Sequence, residues 1–258
     1  SAFVLMARNT ASIHDLYGKR LMIDPYANEL LAYLQKEGIT QNRSNWTTYR
    51  YDPQSLIIGR IDAMSGYITD EPFFLDRSGV TYQLYTPRSG GIDFYGDNLF
   101  TTEQQINENP ERVKAFQEAS LRGWKYALNH QEEAIDLILS KYSKRQSRER
   151  LRYEARAMVP LIHAELVEIG YMHPGRWRHI ADSYAELGLL PANFDLQDFV
   201  YSPTQYLDSS RIYRYLAYLL LAFVLASAFM ALRSNRRLKQ SNIKLVESEG
   251  QVKRRLYI

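Results

Sequence analysis

KRLMIDPYANELLAYLQKEG (residues 19–38) joins a short apolar run to a longer segment, and this stretch decides the fold class. Residues 19–23 follow a Tyr-Gly turn and are typical of a buried strand. Residues 27–37 are typical of a helix, and Gly38 is a residue that ends helices. A strand followed directly by a helix predicts an α/β fold.

The same alternation continues along the chain up to about residue 90. Residues 46–51, 63–66 and 81–85 predict three further strands. Residues 72–78 predict a helix that Gly79 closes. Short connections between these elements predict one lobe built on a mostly parallel sheet.

Beyond Asn98 the sequence becomes helical. Four segments carry apolar residues at amphipathic spacing, and we expect them to pack one lobe of the domain. They are residues 110–128, 132–139, 149–169 and 177–187.

YLAYLLLAFVLASAFMAL (residues 215–232) contains no charged residue. A helix of this length spans roughly 27 Å, which is close to the hydrocarbon thickness of a bilayer. Two basic residues precede the segment and four follow it closely, so the C-terminal end is predicted to be cytoplasmic. A buried core helix is the alternative, although core helices of this length usually carry a polar stripe.

These features divide the chain into four predicted parts. Residues 1–200 form an outer domain, and residues 201–211 form a tether. Residues 212–232 form a single transmembrane helix, with residues 1–211 outside. Residues 233–258 form a cytoplasmic juxtamembrane helix.

The charge distribution separates the tail from the rest of the chain. From residue 233 onward eight basic residues face two acidic ones, a net +6 in a chain whose total is +3. The remainder is therefore net −3, which argues against nucleic acid as a partner. The absence of cysteine excludes disulfides, thiolate metal sites and a cysteine nucleophile. We find no catalytic motif, no metal site and no need for a cofactor.

Five stretches of the chain carry a family resemblance when they are taken in order. They are DLYGKRLMID (15–24), RIDAMSGYITDEP (60–72), GIDFYGDNLFTT (91–102), NPERVKAFQEASLRGWKYALNHQEEAIDLIL (109–139) and IGYMHPGRWRHIADSYAELGLL (169–190). Together they resemble the SsuA-like, thiamine-pyrimidine-precursor type of periplasmic substrate-binding domain. The resemblance implies a type II periplasmic-binding-protein-like domain with two lobes, so residues 1–211 would be periplasmic and the apolar helix would cross a bacterial inner membrane. Only the C-terminal two-thirds of the domain would be present, which agrees with a sheet that begins at a ragged strand over residues 2–6.

The membrane helix and its charged exit resemble the form of this domain fused to bacterial sensor proteins with GGDEF/EAL or histidine kinase outputs. The resemblance implies a receptor for a small molecule such as a pyrimidine, and we expect a homodimer through the membrane and exit helices. Ala222 and Ala226 form a small-xxx-small pair, and Leu238, Leu245 and Val252 recur at seven residues. A membrane-anchored binding protein of an ABC transporter is the alternative. A thiamine pyrimidine synthase is disfavoured because those enzymes use a cysteine-rich motif.

Ligand contacts are expected in the loops that follow the strands. In the first loop, Tyr67 could stack on a heterocycle, and Glu71 could accept hydrogen bonds from an amino group of that heterocycle. Thr69, between them, is a further candidate contact. The structural alternative is that Asp70 and Glu71 cap the next helix, with Pro72 in its first turn.

A second candidate segment is DFYGDN (residues 93–98), interpreted as a strand at the crossover between lobes. Asp93, Tyr95 and Asp97 could line the cleft there. The alternative is a hinge strand in which Gly96 permits an unusual backbone angle. Tyr26, which follows the strand over residues 19–23, is a third candidate.

Overall fold

Five short strands form one sheet in the order β3-β2-β4-β1-β5. The chain is described by a computed structural model that covers residues 1–256, with side chains for residues 1–202, 212–244 and 250. The strands are β1 (Phe3–Ala7), β2 (Arg20–Met22), β3 (Asn45–Thr47), β4 (Ala63–Tyr67) and β5 (Gln83–Tyr85).

Nine α-helices accompany the sheet within residues 1–256. They are α1 (Asn28–Lys36), α2 (Pro53–Ile57), α3 (Pro72–Ser78), α4 (Glu103–Glu108), α5 (Pro110–Asn129), α6 (Gln131–Leu137), α7 (Arg148–Ile162), α8 (Pro174–Glu186) and α9 (Pro203–Leu256). Single turns of 3₁₀-helix cover Ile13–Leu16 and Pro87–Gly90, and a π-helical turn covers Ile138–Tyr142.

The sheet is mixed, so the prediction of a mostly parallel sheet was wrong. β2 is parallel to β3 and β4, but β1 is antiparallel to both β4 and β5. β1 and β2 both pair with β4, and they run in opposite directions. Two strands that follow each other in the chain and run in the same direction need a long crossover, usually an α-helix, whereas the connection between β1 and β2 contains only a 3₁₀ turn. The direction of β1 depends on these pairings and is not visible in its own residues.

The central strands β1 and β4 are buried on both faces of the sheet. Successive side chains point to opposite faces, so in β1 Leu5 and Ala7 pack on the face covered by α1, whereas Val4 and Met6 pack on the face covered by α2 and α3. This double burial explains why β1 is a continuous apolar run, whereas the edge strands β3 and β5 are largely exposed.

Several elements differ in length from their predictions. The strand expected over residues 46–51 ends at Thr47, because Asp52 caps α2 through the Gln54 N–H and Pro53 occupies the first helical turn. The helix expected over residues 149–169 ends at Ile162, where His163 adopts a left-handed conformation with φ 52°. Gly38 and Gly79 follow α1 and α3 with positive φ, as expected.

The described residues divide into two compact units. One contains Ser1–Thr102 and Glu111–Tyr201, and the other contains Glu103–Pro110 and the stretch from Ser202 onward. Within residues 1–256 only one sheet is present, so a second lobe with its own sheet, as a two-lobe domain would have, is not found there.

The helix α9 runs without a break from Pro203 to Leu256. Its stretch Ile212–Lys244 is long and apolar enough to cross a membrane, with a mean hydropathy of 2.2 in its most apolar window and none of that window buried. Residues 203–211, predicted as a tether, are helical. The side chains of Leu245 and Val252, part of the seven-residue repeat, lie outside the described residues.

Candidate functional site

The parallel strands β2, β3 and β4 end at one edge of the sheet, and polar and aromatic residues follow each of them. Asp24 follows β2, Tyr49 follows β3, and Tyr67 ends β4. The Asp24 N–H donates to Ser65 Oγ at 2.8 Å, which ties the exit of β2 to β4. This edge is where ligands bind in open α/β sheets.

Tyr67 stands at the centre of this edge. Its side chain is 44% exposed, and its ring lies 4.4 Å from that of Phe3. Burial raises the pKa of the Tyr67 hydroxyl, and the nearby charges of Asp97, Asp24 and Glu71 raise it further. Tyr67 and Asp97, two predicted site residues, are therefore brought together.

Tyr49 belongs to the same group although the sequence placed it inside a strand. The pKa of the Tyr49 hydroxyl is raised, and burial is the largest cause. The charges of Asp24 and Glu71 and the Tyr67 hydroxyl raise it further. Two phenol rings and three carboxyl groups thus converge on the edge. Nothing local marks Tyr49 as a site residue, because its position depends on where β3 ends.

Glu71 is fully buried behind β4. Its Oε2 accepts a hydrogen bond from the Tyr67 N–H at 2.6 Å, and its Oε1 has no partner. Burial raises the pKa of this carboxyl to about 7, against an ordinary value of 4.5. A buried acid held near neutrality is typical of functional sites, although structural roles also produce it.

Gly66 makes room for that carboxyl group. A Cβ at residue 66 would lie 2.6 Å from both Cδ and Oε2 of Glu71 and from Cε of Met6. Such distances require a neighbour to move. The glycine in β4 therefore fixes where the acid can lie.

Neither acid before α3 caps that helix through its side chain, so the capping alternative for Asp70 and Glu71 was wrong. Glu71 occupies the N-cap position, but its side chain makes no capping bond and bonds the Tyr67 N–H instead. Asp70 turns away toward α7. Pro72 does stand in the first turn of the helix.

Asp70 forms a polar cluster with Arg150 and Tyr51. Arg150 Nε donates to Asp70 Oδ1 at 2.7 Å, and Arg150 Nη2 donates to the Tyr51 hydroxyl oxygen at 2.9 Å. The Tyr51 hydroxyl donates to Asp70 Oδ2 in a short contact. The guanidinium also lies 4.7 Å from the ring centroid of Phe74. The cluster fixes α7 against the loop that carries Tyr67.

Thr69 and Tyr26 occupy opposite environments. Thr69 is buried, whereas Tyr26 is 86% exposed just beyond Asp24, whose Oδ1 accepts from the Tyr26 N–H. An exposed ring next to the edge is available to a ligand, whereas Thr69 would have to move to reach one. Both remain predicted ligand contacts.

The segment over residues 93–98 contains no strand, in contrast to its interpretation as a crossover strand. Asp93 and Tyr95 contact α8 through Arg176, which donates to Asp93 Oδ1 at 2.8 Å and lies 4.1 Å from the Tyr95 ring centroid. The Tyr95 hydroxyl accepts from the His173 N–H at 2.7 Å. Gly96 does not have a positive φ, so the left-handed backbone angle that favours glycine is not found there.

A groove of about 580 Å³ lies between α3 and α7, away from Tyr49 and Asp24. Its charged walls are largely paired with one another or with neighbours: Arg77 bonds Glu149 at 2.5 Å, and Arg152 bonds Glu132. It is open to solvent, and we do not regard it as the ligand site. The groove is lined by Phe73, Asp76, Arg77, Glu149, Arg152, Tyr153, Arg156 and Ala157.

In the described part of the chain, no three metal-ligating side chains come together.

Comparison with known proteins agrees with this architecture. Residues 1–134, more than half of the chain, match the family described as NMT1/THI5 like. The chain is 26% identical over 197 residues to the riboflavin-binding protein RibY of Chloroflexus aurantiacus, covering 72% of the chain and 56% of that protein. It is 30% identical over 88 residues to the formylaminopyrimidine-binding protein of Halalkalibacterium halodurans, covering 33% of the chain and 27% of that protein.

Solved structures share the fold at low identity. The aliphatic sulphonate binding protein SsuA of Escherichia coli superposes with a TM-score of 0.54 at 15% identity, over 78% of this chain and 65% of that one. The ligand-binding component of an ABC-type import system from Staphylococcus aureus superposes with a TM-score of 0.50 at 15% identity. The match covers 80% of this chain and 69% of that one.

The chain spans about half the length, or less, of the curated relatives that it matches. Those relatives are named as binding proteins and not as enzymes. The predicted substrate-binding fold is thus confirmed, and the chain belongs to the NMT1/THI5-like family.

Proposed function

We propose that residues 1–201 form an extracytoplasmic domain that binds a small molecule, and that α9 anchors this domain in a membrane as the input part of a receptor. The observation that carries the proposal is the combination of the two in one chain. A binding-protein domain is followed by a helix whose most apolar window is entirely uncovered. An uncovered apolar stretch of this length is stable only in lipid or against a partner.

The edge around Tyr67 is the proposed ligand site. The phenol rings of Tyr67 and Tyr49 offer surfaces for stacking, and Asp24 and Asp97 offer acceptors for N–H groups. Two relatives are named for riboflavin and formylaminopyrimidine, both planar nitrogen heterocycles. We therefore propose a planar, nitrogen-containing ligand.

An anchored binding protein for a transporter is a second candidate function. It is favoured by one of the solved structures that share the fold, which is named as the ligand-binding component of an ABC-type import system. The receptor is favoured by α9, which continues as one helix well past its apolar stretch. A simple anchor needs only a few flanking charges.

Ligand binding is tested on the full chain reconstituted in lipid nanodiscs. We expect riboflavin or an aminopyrimidine to raise the melting temperature, because a ligand that binds only the folded state stabilises it by mass action. Tyr67→Ala should remove that rise. Tyr142→Ala, which removes a tyrosine ring that is 77% exposed on the π-helical turn, should leave it unchanged. The proposal would be contradicted if neither heterocycles nor alkyl sulfonates changed the melting temperature.

The receptor and the transport protein are separated by a cross-linking experiment. The chain has no cysteine, so Ala226→Cys places a single thiol in the apolar helix. In a receptor dimer the yield of the cross-linked dimer should change when ligand is added. A monomer, or a yield that ligand does not change, would favour the transport protein.

A further inference from the structure

The helix α9 leaves its apolar stretch with an unusual charge pattern. Residues 209–246 contain no acidic residue, yet five basic residues follow Leu232 within twelve positions. They are Arg233, Arg236, Arg237, Lys239 and Lys244. All five side chains are exposed, and none forms an ion pair within the described residues.

Four of these five charges share one face of the helix. Successive residues turn by about 100°. Relative to Arg233, Arg237 therefore lies at about +40°, Lys244 at about +20° and Arg236 at about −60°. Lys239 lies off this face at about −120°. We define the basic face by Arg233, Arg236, Arg237 and Lys244.

We propose that the basic face binds the anionic headgroups of the membrane leaflet into which α9 emerges. This proposal rests on the membrane anchor of the proposed function. Clusters of arginine and lysine beside a membrane helix are attracted to anionic lipid, and guanidinium groups bond phosphate oxygens in pairs. A second copy of the chain would not suit this face, because two rows of like charge repel.

The proposed contact orients the helix about its own axis. Because α9 is one unbroken helix, the basic face approaches the leaflet when the helix tilts toward that side, and the opposite face then points away from the lipid. Leu238, at about +140° from Arg233, is on that opposite side and stays available to a partner helix. Lipid contact and partner contact would then use different sides of the same segment.

The test uses an environment-sensitive fluorophore on a single introduced cysteine in the full chain. Gln240→Cys lies within the basic face, at about −20°, and Asn242→Cys lies opposite it, at about 180°. Both replace exposed polar residues, so they form a matched pair. The protein is reconstituted in vesicles of phosphatidylcholine alone or mixed with phosphatidylglycerol.

We expect a blue shift at residue 240, and not at residue 242, that requires phosphatidylglycerol and is lost at high salt. Arg237→Gln should reduce the shift, whereas Lys239→Gln, which removes the same charge from another face, should leave most of it. Inorganic phosphate should not reproduce the shift in phosphatidylcholine vesicles.

Two results would overturn the proposal, and they can be told apart. If the protein stays in the vesicles after an alkaline wash but the two labels respond equally, or neither responds to phosphatidylglycerol, the basic face does not bind lipid and the anchor stands. If the alkaline wash releases the protein, the anchor itself is wrong and the lipid contact fails with it.

Discussion

Arg150, at the start of α7, is bonded to Asp70, eighty residues earlier in the chain, in the loop after β4. The two side chains are only 15% and 20% exposed. This pair fixes a helix of the C-terminal half to the loop that carries Tyr67, so the geometry of the proposed site depends on both halves of residues 1–201.

Breaking this pair should destabilise the domain formed by residues 1–201. In Arg150→Met the Asp70 carboxylate keeps only the Tyr51 hydroxyl, and we expect the free energy of unfolding to fall by about 2 kcal/mol because the pair is largely buried. All three tryptophans lie within residues 1–201, so tryptophan fluorescence of the full chain in detergent follows this domain.

Arg77→Met is the matched control for that variant. Arg77 also bonds a carboxylate, Glu149, and also lies over a phenylalanine ring, but the two charged side chains are 57% and 66% exposed. We expect a loss of about 0 to 1 kcal/mol. Equal losses in the two variants would show that burial of the Asp70 pair has no energetic effect.

The ionisation of Glu71 should make stability depend on pH. Its pKa is raised from 4.5 to about 7 in the folded chain, so the folded state binds the proton more tightly than the unfolded state. The stabilisation is fully present below pH 4.5 and is lost as the pH rises through about 7. The full difference corresponds to about 3 kcal/mol.

Glu71→Gln isolates this effect because glutamine does not titrate and can still accept from the Tyr67 N–H. The free energy of unfolding of the wild type, minus that of Glu71→Gln, should fall as the pH rises through this window. Denaturant titrations at several pH values measure the difference. A difference that stays constant or rises would show that the carboxyl is not held neutral.

Gly66→Ala should destabilise the sheet, since the added Cβ meets both Glu71 and Met6. We expect a loss of about 1 to 3 kcal/mol from overpacking. Gly96→Ala is the control, because a Cβ there meets nothing within 4 Å and the backbone has no positive φ. Thermal unfolding measures the stability of both variants. A loss in Gly96→Ala as large as that in Gly66→Ala would contradict this account.

Tyr95→Phe distinguishes a structural role for Tyr95 from a ligand contact. The hydroxyl accepts from the His173 N–H at the start of α8, so its removal should cost about 1 kcal/mol of stability. Ligand affinity, measured by titration of the full chain, should not change. A loss of affinity without a loss of stability would instead indicate that the Tyr95 hydroxyl contacts the ligand.

The local parts of the fold were predictable from the sequence. The runs at β2 and β4, the helix α1 and the positive-φ glycines after α1 and α3 are each set by neighbouring residues. The antiparallel direction of β1 was not predictable, because it is decided by pairing with strands more than fifty residues away.

The candidate site shows the same division. The charge of Asp97 helps to raise the pKa of Tyr67, but a ligand role for either residue stays a prediction. The contribution of Tyr49 depends on the early end of β3. Arg150 could not be linked to Asp70 without the packing of α7. One local sign was available for Glu71, since a glycine inside a strand, here Gly66, often marks a close approach.

The contact between Gly66 and Glu71 also constrains how this sequence can diverge. A side chain at residue 66 requires the ends of Glu71 and Met6 to move or to be shortened, whereas loss of the acid alone leaves glycine acceptable. The constraint therefore runs in one direction, because the glycine accommodates the acid but does not depend on it. A variant that has first lost the acid should accept a Cβ at residue 66 at a lower cost than the present sequence does.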